Sequence, residues 1–233
     1  MAQNATIYKV ELSVSDMDRH YYDTHKLTVA KHPSETDERL MVRILAFALN
    51  AHEHLEMTKG LSTDDEPDIW QKSLTGELDV WVALGLPSEK LMRQSCGKAK
   101  NVIVYPYGGR TAEMWWDKMK TSVSRFENLQ VTNFSEKDTG GMAKLASRVM
   151  KLQVNIQDGD VMVSVGDSIV YVTPLKCKRA ALLTLFWRKM GLSYSVVPIM
   201  IRSGSPLPAF RNAAPRRQSL RKQSLRSAGN HRP

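Results

Sequence analysis

Asp79 lies inside a strongly apolar stretch, and it is the first side chain in the chain whose placement suggests chemistry. Residues 78–85 read as one buried strand, with Leu78, Val80, Val82 and Leu84 on one face and Asp79, Trp81 and Ala83 on the other. A carboxylate half-sunk in a sheet is costly unless it is hydrogen-bonded, ion-paired or bound to a metal. Two chemistries follow: ligation of a divalent cation, or an ordinary salt bridge on the wetter face of the sheet. Structural ion pairs commonly fill such positions, so the second weighs more until other residues are added.

Further acids accumulate upstream. Glu38 stands at the edge of a helical apolar stripe, before Val42 and Leu45, and Asp64, Asp65 and Glu66 form a run in the polar stretch 60–67. His52 and His54, read on a helix, point in different directions two residues apart, which argues against a shared metal. Trp115 and Trp116 read as core and rim packing rather than a base-stacking platform. No Gly-rich phosphate loop, nucleophile elbow or Cys–His arrangement is present.

The elements that must position these residues follow from periodicity. Residues 5–14 alternate as a strand and 26–31 as a second. After Pro33, Ser34 with Asp37 three residues on marks a helix start. Its apolar stripe is Met41, Ile44, Leu45, Ala48 and Leu55, with Arg39, Arg43, Asn50 and Glu53 opposite. The Asp79 strand is followed by a helix from Pro87–Ser88 to about Lys100, a strand over 101–107 and a helix over 111–120. A strand over 129–134 and a helix over 135–150 come next, and the alternation predicts an α/β (α+β) fold with a mixed central sheet flanked by helices. Three short strands, 151–157, 160–165 and 168–173, joined by Asp158-Gly159 and Gly166-Asp167 turns, predict a C-terminal meander. It either extends the same sheet or packs beside it with the first two strands.

Charge divides the chain sharply. Residues 1–175 carry 20 Lys and Arg against all 24 acids, a net of −4; residues 176–233 carry 13 bases and no acid, which restores the total of +9. A global argument for nucleic-acid binding from the high pI therefore applies to the tail alone. The tail, with its RRQSLRKQSLR repeat at 216–226 and recurring proline, is expected to be disordered, as a cationic arm or an accidental extension of the reading frame. The expected organisation is a domain over 1–175 and a basic appendage over 176–233. Cys96 and Cys177 offer neither a disulfide framework nor a zinc spacing, no secretory signal opens the chain, and no apolar run reaches the ~20 residues that span a bilayer. The expectation is a cytoplasmic monomer without membrane contact.

Several stretches together carry a resemblance: Ala5-Thr6-Ile7-Tyr8-Lys9, His32-Pro33-Ser34-Glu35-Thr36 with Glu38-Arg39, Asp64-Asp65-Glu66-Pro67, the LDVWVALGLP run at 78–87, Arg110 with Trp115-Trp116, and Ile156-Gln157-Asp158-Gly159. Over residues 1–175 the chain resembles the YaeQ family, whose fold is similar to the PD-(D/E)XK nuclease superfamily with a rearranged metal site. The resemblance implies Mg²⁺ held by Glu38, by Asp65 or Glu66 and by Asp79, with hard oxygen ligands and a metal-generated hydroxide acting on a phosphodiester. Trp81 stands where the motif's lysine belongs, so a displaced lysine, Lys72 or Lys98, is implied in its place. Arg110 is positioned to grip phosphate oxygens through its planar fork. Ala83 replaces a second acid of the family. Two functions are therefore expected: Mg²⁺-dependent hydrolysis of nucleic acid, or a catalytically silent nuclease fold that binds nucleic acid or a protein partner.

Overall fold

The structure is a computed structural model that describes residues 5–58 and 66–180. The first two strands, β1 (Thr6–Asp16) and β2 (Tyr21–Lys31), pair antiparallel along their whole length. Between them, Asp16 accepts from the Arg19 backbone N–H (2.9 Å) and Nε (2.5 Å), closing the turn. Helix α1 (Asp37–Leu49) starts later than the Ser34 signature predicts. Thr36 is the N-cap and accepts from the Arg39 N–H at 3.1 Å, while Ser34 instead meets His32 Nδ1 at 2.6 Å. The helix also ends earlier: Leu55 belongs to β3 (Leu55–Met57), so His52 and His54 lie in the intervening turn. Arg19 reaches back to satisfy the freed carbonyls of Ala48 and Ala51.

Next come β4 (Ile69–Lys72), β5 (Leu78–Leu84), α2 (Glu89–Lys98), β6 (Ala99–Tyr105), α3 (Arg110–Met119), β7 (Leu129–Asn133) and α4 (Glu136–Ala143). The described residues end with β8 (Val149–Gln157), β9 (Asp160–Val165), β10 (Ser168–Val172) and β11 (Leu175–Lys178). Helix α4 is half the predicted length because Met150 and Leu152 already alternate as strand β8. The three short strands β3, β4 and β11 carry no periodic signal of their own and are added by pairing.

The strands form two mixed sheets, not one: β10-β9-β8-β1-β2 and β11-β7-β6-β5-β4-β3. The meander thus joins the first two strands. The reason lies in α1, where every residue from Leu40 to Ala48 is buried. A helix buried on all sides needs cover on all sides, and one core cluster joins α1 to β1, β2, β8 and β9 of the first sheet and to β5 and β6 of the second. The opposite face of the second sheet is also covered. Trp81 and Ala83, expected on a wetter face, are buried in a second core with Met92 of α2, Val123 and Leu129. β11 carries the second sheet past residue 175, to Lys178; residues 181–233, including most of the expected tail, lie outside the described residues. Among the described residues no helix is long and apolar enough to cross a membrane.

Candidate functional site

Strand β5 is the axis around which the candidate residues fall, and they fall at its two ends. Near its start, a register shift against β4 leaves Asp79 as the extra residue of a bulge, since Gln71 pairs with Val80 and Lys72 with Leu78. The parallel register of β5 with β6, Leu78 to Ala99 and Val80 to Asn101, then sets Asp79 opposite Lys100. The Lys100 ammonium lies 2.8 Å from Asp79 Oδ1 and 3.0 Å from Glu77 Oε2. Its hydrogen bonds to Asp79 and Glu77 hold its pKa above the usual lysine value. A groove of about 530 Å³ opens here, lined by Glu77, Lys98, Lys100 and the glycines 76 and 97. Lys98 extends over the Trp81 ring with its ammonium 5.8 Å from the centroid, and Lys72 lies over Trp70 at 3.6 Å.

At the far end of β5 the charges are buried. Asp68, just before β4, donates its N–H to Val82 O and accepts the Leu84 N–H at 2.8 Å. Its other oxygen takes Arg39 Nη2 at 2.5 Å. Arg39 also faces Glu35 at 3.9 Å and lies close to Tyr107, while Arg43 donates to Glu35 (3.2 Å) and to the Ala30 carbonyl (3.0 Å). Burial pushes the Asp68 carboxyl up despite the Arg39 charge, and lowers Arg43 despite Glu35. Two guanidiniums and two carboxylates thus neutralise one another inside the fold. Arg43, read from the sequence as the polar side of α1, is 1% exposed.

The expected site residues are divided between these ends. Asp79, Lys72 and Lys98 gather at the start of β5. Glu38, beside Arg39, belongs to the far end, where it accepts the Thr139 hydroxyl at 2.5 Å. Exposed Glu66 precedes Asp68, and exposed Arg110 opens α3 after Gly109, whose φ of +56° favours glycine and where an added Cβ would push on the Glu136 carboxylate. Asp79 and Leu84 are five residues apart, about 17 Å along a strand, so the structure does not bring Glu38 and Asp79 into one pocket. Asp65 lies outside the described residues. Among those described, no three His, Cys, Asp or Glu side chains are arranged to hold a metal ion, so Glu38, Glu66 and Asp79 do not form one oxygen cage for Mg²⁺.

Lys100, Asp68 and the Glu35–Arg39–Arg43 network were not singled out from the sequence as site residues. Lys100 reads from the sequence as the end of the helix after Pro87–Ser88, and only the register of β5 against β6 sets it opposite Asp79. The network was missed because Arg39 and Arg43 sit on what reads as the solvent side of α1.

Fold and site together define a two-sheet α+β protein among the described residues, with a helix buried from Leu40 to Ala48 between its sheets, a neutral buried ion network and an ion-paired surface groove. A family model, YaeQ protein, matches residues 1–174, and the chain belongs to the YaeQ family. Proteins of Salmonella typhi and Escherichia coli strain K12, each named Uncharacterized protein YaeQ, are 40% identical over 164 residues, 70% of this chain and 91% of theirs. The crystal structure of YaeQ protein from Xanthomonas axonopodis pv. citri superposes with a TM-score of 0.73 at 45% identity, covering 75% of this chain and 98% of that one. The Pseudomonas syringae YaeQ structure gives 0.72 at 31% identity, covering 75% and 97%.

Proposed function

We propose that this protein is a PD-(D/E)XK-type nuclease fold that binds a macromolecular partner in the cytoplasm without cutting phosphodiesters. The order of α1, three antiparallel strands β3, β4 and β5, α2 and the parallel strand β6 supports the superfamily reading. The observation that carries the binding reading is the state of β5. Asp79 is held by Lys100, and the following positions where the motif needs a lysine and a second acid are Trp81 and Ala83, both packed into a core. Hydrolysis assisted by Mg²⁺ requires carboxylates that converge on one ion and a positioned water, and the one acid of this strand, Asp79, is paired with Lys100.

The test uses the purified full chain with single-stranded, duplex and structured DNA and RNA in Mg²⁺ or Mn²⁺. No metal-dependent cleavage is expected, and Asp79→Ala leaves the substrates equally intact. Cleavage that disappears in Asp79→Ala or Glu38→Gln would overturn the reading and restore the hydrolytic one.

A further inference from the structure

The first sheet has one face in the core and one facing outward, and the outward face has an unusual composition. Strand pairing places Tyr171, Met162, Asn155, Ser15 and Tyr22 in one row across all five strands. A neighbouring row sets Gln153 beside Ser13, which shares a 3.1 Å hydrogen bond with Thr24. Neither stretch contains a charged residue. Both tyrosines are open to solvent, Tyr22 at 62% and Tyr171 at 70%, as is Ile169 at 52%. The next row carries Lys151 and Lys26 on either side of Glu11, a net charge of +1, with Lys151 approaching Glu11 at 3.6 Å.

We infer that this face is a platform for single-stranded nucleic acid, laid across the strands, a proposal that rests on the non-cutting reading above. Exposed aromatic rings on a sheet stack bases regardless of sequence. The amides and hydroxyls between the rings offer donors and acceptors to base edges, as sheet-based RNA readers do. The tyrosines sit on the two edge strands, four strand spacings or about 19 Å apart, a span crossed by a strand of a few nucleotides. The lysine row runs parallel to the aromatic row and gives the phosphates a track on one side only. Two lysines on one flank, beside aromatic and amide rows that hold no acid, favour a polyanion whose bases face the tyrosines.

The experiment is fluorescence anisotropy with fluorescein-labelled single-stranded RNA and DNA oligonucleotides, using the full chain in EDTA and at raised salt so that contributions from the basic C-terminal residues are screened. Tyr22→Ala and Tyr171→Ala should each weaken binding about tenfold, by the loss of one stacked base, while Tyr→Phe at either position retains it. Both positions are exposed, so unfolding midpoints should not move. Unchanged affinity in the double alanine variant would overturn the platform, and so would a dimer by light scattering that the double variant dissolves. Cleavage of the same oligonucleotides in Mg²⁺ would overturn the non-cutting reading while leaving the tyrosine dependence of binding intact, so the two proposals fail separately.

Discussion

The two ends of β5 use the same residue types to opposite effect. At one end Lys100 bridges Glu77 and Asp79 in water, with the lysine 58% exposed. At the other, Glu35, Arg43 and Asp68 are buried and Arg39 nearly so. Surface pairs contribute little because water and salt already solvate both partners. Buried pairs contribute little net over a well-packed apolar substitute, yet removing one partner strands the other at high cost. The comparison teaches that the buried end is a scaffold joining the β2–α1 turn to the start of β4, whereas the exposed end is free to change.

The strongest way to break this contrast is to strand a buried charge. Arg43→Met removes the closest charged partner of buried Glu35 and should destabilise the fold by about 3–5 kcal/mol in urea unfolding, and adding Glu35→Leu should recover a large part of that loss. If the double variant is no better than the single, the network is not a coupled unit. Asp68→Ala comes next: it removes the acceptor of the Leu84 N–H and the partner of Arg39, for about 2–3 kcal/mol. Asp79→Ala, its counterpart at the exposed end, should leave the urea midpoint where it was. Equal losses from the two aspartates would end the distinction.

A titration sharpens the same point. Tyr105, buried and accepting from Asn50 at 2.9 Å, has its phenol pushed up to about 12 by burial. Between pH ~10 and 12 the unfolded chain ionises this group and the folded chain does not. Stability should therefore be fully present below pH 10 and fall as pH rises toward 12, by roughly 1.4 kcal/mol per pH unit at its steepest. Tyr105→Phe should flatten that slope in melting curves taken across the range, and a slope identical in both proteins would show that Tyr105 does not titrate as burial dictates.

Much of the fold was legible in advance. Alternation in β1, β5 and the β8–β10 meander, and the apolar stripe of α1, placed those elements within a few residues, because side chains on a half-buried strand or helix face must repeat at its period. Thr36, not Ser34, caps α1, because Glu35 turns inward to meet Arg43. Local capping rules do not register such a distant partner. The candidate site was less legible. The resemblance implies Glu38 and Asp79 as ligands of one ion, yet they lie near opposite ends of β5.

By itself the sequence determined the YaeQ family, the strand carrying Asp79, the apolar character of 81 and 83, and the division between an acidic body and an acid-free basic end. All of these depend on residue identity and short-range period, which any local conformation preserves. Only the tertiary structure decided that there are two sheets, that Arg39 and Arg43 are inside, that Lys100 takes Asp79, and that two tyrosines far apart in the chain share one open row. Those outcomes depend on strand register and on which face of each element is covered, and both are set by packing between segments far apart in the chain.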